Sequence, residues 1–153
     1  MNNLYISGIN YESIADAKGV SCTIFFSGCY HNCFMCHSED THNFMYGTLV
    51  TSELINQIRN EIIKRPFINS ITLSGGDPMY SSEKIVEFIK ELNIKDKSIW
   101  CYSGFTFEQI IENKHMFGLL QLCDVLIDGL FEFDKRDTTL KFRGSTNQRV
   151  INI

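Results

Sequence analysis

The sequence predicts an α/β fold: a curved, open, mostly parallel sheet, amounting to a partial (β/α) barrel, with helices on its outer face. Three observations predict it. Strand-like segments alternate with amphipathic helical ones, the pattern of parallel βαβ units. Each core strand of that pattern runs into a glycine turn, at Gly28, Gly75-Gly76, Gly104 and Gly129. The chain is also short. A closed barrel takes roughly 200 residues or more, so 153 can close only part of one. Residues 1–153 read as a single domain, large enough to bury a core.

The elements follow in order. Leu4 to Ile9 reads as a short edge strand, and Cys22-Thr23-Ile24-Phe25-Phe26 as a continuous β-prone core strand ending at Ser27-Gly28. Tyr30 to Gly47 is polar and aromatic without a period, as expected of a loop. Thr51-Ser52-Glu53 starts a helix with Leu54, Ile55, Ile58, Ile62 and Ile63 on one face, and Pro66 prevents its continuation. Ser70 to Ser74 is a strand that ends in Gly75-Gly76-Asp77-Pro78. Ser82 to Leu92 is an amphipathic helix with an apolar stripe of Ile85, Val86, Phe88, Ile89 and Leu92. Ser98 to Tyr102 is the next strand, closed by Ser103-Gly104. Thr106 and Gln109 have capping-box spacing for a helix to about Glu112, and a second helical piece runs from about Met116 to Leu122. Asp124 to Ile127 is the last strong strand, before Asp128-Gly129; the tail from Leu130 shows no period. In such folds the chemistry sits at the C-terminal ends of the strands, so the glycine turns should gather on one rim.

Composition excludes several classes. Hydrophobic residues at 44% and charged residues at 21% are ordinary for a globular protein. A formal charge of −4 argues against a general nucleic-acid binder. The N-terminus has no basic region followed by an apolar run, and no apolar stretch reaches membrane-spanning length. The expected setting is the reducing cytoplasm, away from nucleic acid and membrane.

The chemistry is concentrated in one stretch, Gly28-Cys29-Tyr30-His31-Asn32-Cys33-Phe34-Met35-Cys36-His37. Cys29, Cys33 and Cys36 place three thiols on one loop at C-x3-C-x2-C spacing. Clustered soft thiolates suit an iron–sulfur cluster or zinc rather than a hard cation. Three ligands on a four-iron cubane leave one iron open to a reactant, as a catalytic zinc keeps one vertex free. The alternative is a zinc site completed by His31, His37 or His42, although zinc ligands usually come as two separated pairs. Cys22, Cys101 and Cys123 lie in apolar segments and read as buried small hydrophobes. The histidines near the thiols read as supporting residues, and His115 as a surface residue.

The cysteine loop resembles the signature of the radical S-adenosylmethionine (SAM) enzymes, with Met35 where an aromatic residue is common and Cys36-His37-Ser38 where relatives often carry Asn. Gly75-Gly76-Asp77-Pro78 is similar to their Gly-Gly-Glu-Pro turn, with Asp77 in place of Glu. Arg143-Gly144-Ser145-Thr146-Asn147-Gln148 resembles the C-terminal signature of one subfamily, the anaerobic ribonucleoside-triphosphate reductase-activating proteins. Asp16-Ala17-Lys18-Gly19 replaces the Asp-Gly-Pro-Gly often found before the second strand, and the likeness spans nearly the whole chain.

The resemblance implies a radical SAM partial barrel and a [4Fe-4S] cluster held by Cys29, Cys33 and Cys36. It implies SAM chelated at the open iron and contacted by Met35, Cys36, His37, Gly75, Gly76, Asp77, Tyr102, Ser103 and Gly104, with the amino group at the glycine turn. A flavodoxin- or ferredoxin-type donor supplies one electron, SAM is split, and a glycyl radical forms on the large subunit of the anaerobic ribonucleotide reductase. No catalytic side chain beyond cluster and SAM is required. Lys135, Arg136, Lys141, Arg143 and Arg149 make the tail basic and suggest a docking role for it. Three alternatives stay open: a 7-carboxy-7-deazaguanine synthase-like enzyme, a pyruvate formate-lyase activase-like enzyme, and a non-catalytic zinc-binding interaction module. Whether the chain forms a homodimer is also open.

Overall fold

The computed structural model describes residues 3–31 and 42–153. β1 (Tyr5–Ser13) and β2 (Ser21–Phe26) come first, then β3 (Thr48–Leu49) and α1 (Ser52–Ile63). β4 (Ser70–Gly75) leads through a 3-10 turn at Pro78–Ser81 into α2 (Ser82–Leu92). β5 (Ser98–Tyr102), α3 (Phe107–Ile111), α4 (Lys114–Leu120), β6 (Val125–Asp128) and β7 (Arg149–Asn152) complete the chain. The strands form one open seven-stranded sheet in the order β3-β1-β2-β4-β5-β6-β7. β2, β4, β5 and β6 pair parallel, whereas β1, β3 and β7 add to the flanks antiparallel. The sheet is therefore parallel at its centre and mixed overall.

Local chemistry sets the helix starts. Thr51 caps α1 by accepting from the Leu54 amide at 3.1 Å. Thr106 and Gln109 form the reciprocal capping box of α3. Asn113 caps α4 by accepting from the amides of His115 and Met116. α1 stops at Ile63, ahead of Pro66.

Two strand expectations need correcting. β1 is nine residues long and lies between β3 and β2, so it is not an edge. The edge beyond it is the two-residue β3, from the aperiodic stretch before Gly47 and Val50, too short to read from pattern. At the other edge the tail supplies β7, which pairs with β6 from Val125↔Asn152 to Asp128↔Arg149. Val150 and Ile151 are β-branched, but the strand is short and mostly exposed and shows no apolar alternation.

The core strands are covered on both faces, so the residues of both registers are buried. Cys22, Ile24, Phe26, Ile71, Leu73, Ile99, Cys101 and Leu126 pack in the cluster that also holds Ile55, Ile58, Ile62, Ile85, Phe88 and Leu92 from α1 and α2. The alternate residues Trp100, Val125 and Ile127 form a second cluster with Ala17, against which Tyr102 and Phe142 pack. On β2 and β4 that alternate register carries small hydroxyls, and Ser21 and Thr72, both fully buried, hydrogen-bond at 2.6 Å. The helices and the two loop segments thus cover opposite faces. No described helix is long and apolar enough to cross a membrane.

Four of the five cations named in the tail are engaged within the chain. Arg149 donates to both oxygens of the buried Asp128 and pairs with Glu108 at 2.7 Å. Arg143 donates to the Gln148 carbonyl, Lys135 pairs with Glu132, and the Arg136 guanidinium lies 4.2 Å from the centre of the Phe133 ring. Breaking a fully buried ion pair costs about 3–5 kcal/mol. Arg149 is half exposed, so Arg149→Met should cost about 2 kcal/mol in urea denaturation, the scale for a buried group left unpaired. Adding Asp128→Asn should recover part of that loss.

Candidate active site

Four strand ends meet at one cleft. β2 runs into Ser27-Gly28-Cys29, β4 into Gly75-Gly76-Asp77, β5 into Ser103-Gly104, and β6 into Gly129. Cys29, Gly75, Gly76, Asp77, Tyr102, Ser103, Gly104 and Gly129 line the cleft, joined by His31, His42, Phe131 and Gln148. The cleft has a cavity volume of about 130 Å³ and opens to solvent at its mouth. The rim expected from the glycine turns is therefore present.

Gly75 shows why two glycines stand there. Its φ is +108°, and a Cβ would lie 2.2 Å from the Phe26 carbonyl oxygen. That contact lets the turn hydrogen-bond across to the cysteine loop: the Gly76 amide donates to Phe26 and the Asp77 amide to Gly28, at 2.8 and 2.9 Å. Among the described residues no group donates to the Gly76 carbonyl.

Cys29 is partly exposed, and its amide donates to the His42 carbonyl at 3.2 Å. Ser27 Oγ bonds the Tyr46 carbonyl, so the segment after residue 41 returns beside the end of β2. Cys33, Met35, Cys36 and His37 lie outside the described residues. Among the described residues no three His, Cys, Asp or Glu side chains gather as a metal site. Tyr30, Phe44, Tyr80 and Phe105 form a wall of rings beside Cys29, with centroid spacings of 4.8 Å (Tyr30–Phe44), 5.2 Å (Tyr30–Tyr80) and 5.0 Å (Tyr80–Phe105). This wall was not foreseen; its rings come from separate segments and form no local pattern.

Asp77 is the buried charge of the site, 2% exposed. Its Oδ1 accepts from the Met79 amide at 3.0 Å, which starts the 3-10 turn. Its Oδ2 accepts from Ser103 Oγ at 3.0 Å and the Gly104 amide at 2.8 Å, and pairs with His31 Nε2 at 2.7 Å. Ser103 Oγ accepts in turn from the Phe105 amide. Tyr102 presents its ring to the cleft side of β5, while its hydroxyl donates to the Asp16 carbonyl at 2.9 Å. Burial pushes that phenol above its ordinary range. Gln148 reaches the cleft as the clasp of the tail, donating to the Gly129 carbonyl and accepting from the amides of Gly144 and Ser145.

The remaining thiols are buried away from the cleft. Cys22 and Cys101 are fully buried and Cys123 is 5% exposed. Burial pushes the Cys22 thiol up to about 12. The hydrogen bond with Cys123, together with burial, raises Cys101. His115 is exposed and pairs with Glu83 at 2.6 Å.

Comparison with known proteins agrees with this arrangement. Residues 15–151 match the family model of a 4Fe-4S single cluster domain. The chain is 34% identical over 145 residues to the anaerobic ribonucleoside-triphosphate reductase-activating protein of Haemophilus influenzae, covering 90% of each chain. The Escherichia coli K12 protein of the same name is 33% identical over 90% of this chain and 91% of its own. That of enterobacteria phage T4 is 31% identical over 152 residues, 93% of each. The chain belongs to this family. Its cofactor set is the family's, a [4Fe-4S] cluster with SAM, which removes the zinc-only module. The residues present fit that set: a thiol at the cleft, beside turns at Gly75, Gly76 and Gly104 that bring main-chain groups into its lining.

In the cluster-free reduced protein, iodoacetamide at pH 8 should modify Cys29 while sparing Cys22, Cys101 and Cys123. All six cysteines should react in denaturant. Peptide mass spectrometry reads both; fast native labelling of Cys22 or Cys101 would contradict the burial described here.

Proposed function

We propose that this chain activates an anaerobic ribonucleoside-triphosphate reductase by generating a glycyl radical on its large subunit. The observation that carries the reading is the convergence of Cys29, the Gly75-to-Asp77 turn and Ser103-Gly104 at one cleft, in a chain of the activating-protein family. When bound, cluster and SAM supply the electron transfer and the hydrogen-atom abstraction.

The chain's own residues bind, orient and shield. Cys29, Cys33 and Cys36 would hold the cluster, and Met35 and His37 belong to the same stretch of sequence. Gly75 and Gly76 give SAM access to main-chain groups, and the Gly76 carbonyl, to which no group donates among the described residues, supports a contact with its amino group. Asp77, Tyr102, Ser103 and Gly104 complete the cradle. The ring wall of Tyr30, Phe44, Tyr80 and Phe105 excludes water from one side. Positioning and exclusion are the tasks left to protein, and no acid–base side chain is required.

In this reading the sheet is a partial barrel of the radical SAM type, formed by a single domain in the cytoplasm. Its open rim admits a partner's glycine loop. A small flavodoxin- or ferredoxin-type protein is the electron donor.

Anaerobic reconstitution with iron and sulfide, followed by reductant and SAM, should yield methionine and 5′-deoxyadenosine. Mixing with the reductase should then produce a glycyl-radical signal by electron paramagnetic resonance (EPR). Cys36→Ala should lose the cluster's visible absorption. Cys123→Ser should keep it, since Cys123 is buried away from the cleft, where its thiol donates to the Leu119 carbonyl and meets Cys101. Absence of 5′-deoxyadenosine from a fully loaded protein would sink the reading.

A further inference from the structure

His31 stands two residues beyond Cys29, yet its partners belong to two other rim segments, those after β4 and β5. Its Nε2 is 2.7 Å from Asp77 Oδ2 on the β4 turn, and its side chain is only 11% exposed. Its ring lies 5.0 Å from that of Tyr80, just after the same turn, and 4.6 Å from that of Phe105, just after Ser103-Gly104. Gly104 touches it so closely that a Cβ there would lie 2.7 Å from the imidazole. One imidazole thus joins the cysteine loop to both walls of the cleft. The carboxylate it meets has each oxygen already bonded to protein, with 1% of its side chain exposed.

We propose that His31 and Asp77 form a positioning pair that fixes the cysteine loop in register with the SAM cradle. Asp77 then acts through its bonds to His31, Ser103 and Gly104 and is not offered to the ligand as a free carboxylate. The inference rests on the functional reading above and adds to it how the two halves of the site are aligned. The chemistry is geometric. A hydrogen bond to a charged group fixes both distance and direction, and a ring held between two others has little freedom to turn. A misplacement of about 1 Å between reacting groups is costly in rate, and here the cluster ligands and the cradle come from different βα units.

The test compares reconstituted wild type, His31→Ala, His31→Gln and Asp77→Glu for iron and sulfide content, SAM affinity by equilibrium dialysis, and the change SAM causes in the EPR spectrum of the reduced cluster. All four should load the same iron. SAM affinity should fall about tenfold in His31→Ala and Asp77→Glu, a loss of about 1.4 kcal/mol, with an altered spectral response. His31→Gln keeps an N–H within reach of the carboxylate and should recover most of the affinity. Wild-type affinity and spectrum in His31→Ala, or no recovery in His31→Gln, would overturn the pair. Wild-type behaviour in Asp77→Glu would show that charge alone matters at position 77, and would overturn it too.

A wild type that takes up no cluster or no SAM counts against the functional reading instead. The pair is then decided on the cofactor-free protein. There His31→Ala should speed hydrogen exchange at the Gly104 amide, which donates to Asp77, and unchanged exchange would refute the inference.

Discussion

The functional end of this molecule depends on one buried carboxylate. Asp77 accepts from Met79, Ser103 and Gly104 and pairs with His31, so residues from three βα connections share a single charge. Burying an ionised carboxylate without partners is prohibitive, while each hydrogen bond to a charged group returns about 1.5–3 kcal/mol. That imbalance selects the geometry: Asp77 stays buried only when all three segments are in place. Deleting any one of them leaves a charge in a site that water barely reaches. Loops that would otherwise move independently at the ends of parallel strands are tied to one another.

The sheet beneath delivers those loops to the same height. β2, β4, β5 and β6 pair parallel in a continuous register, Ser21↔Ser70↔Ser98 at one end and Phe26↔Gly75 near the other. Both faces of these strands are filled, by α1 and α2 on one side and by Ala17 and Phe142 on the other. The cleft that gathers the glycine turns lies above the strand ends. The hydroxyls of Ser21 and Thr72 allow the second face to pack closely at β2 and β4, since they satisfy each other without a cavity for water.

Much of this was legible in the sequence because the signals were local. Ser82 to Leu92 and Ser98 to Tyr102 have the boundaries their patterns gave, and Thr106 with Gln109 makes the expected capping box. The turn glycines marked the rim because a strand that must bend sharply into a ligand site favours a residue without Cβ. What escaped was non-local or lacked periodicity. β3 is two residues long, and β7 is exposed on most of its positions, so neither carries an apolar rhythm. The antiparallel flanks followed from those two strands and from the true length of β1. The meeting of His31 with Asp77 spans 46 positions and leaves no mark on local composition.

The tail shows how a polar stretch can act structurally. Arg143 to Gln148 has no hydrophobic face. In the fold several of its side chains bond within the chain. Gln148 ties Gly129 to Gly144 and Ser145, Asn147 holds the Leu130 carbonyl, and Arg143 holds the carbonyl of Gln148. These bonds set β7 against β6 where its side-chain pattern could not, because an exposed strand has a weakly specified register. Arg149, the first residue of β7, then neutralises the buried Asp128, the last residue of β6, whose other carboxylate contact is the Phe107 amide at the start of α3. A hydrogen-bonded clasp finishes the sheet at β7. The same clasp places Gln148 beside the cleft, so completing the fold and completing the site are one event.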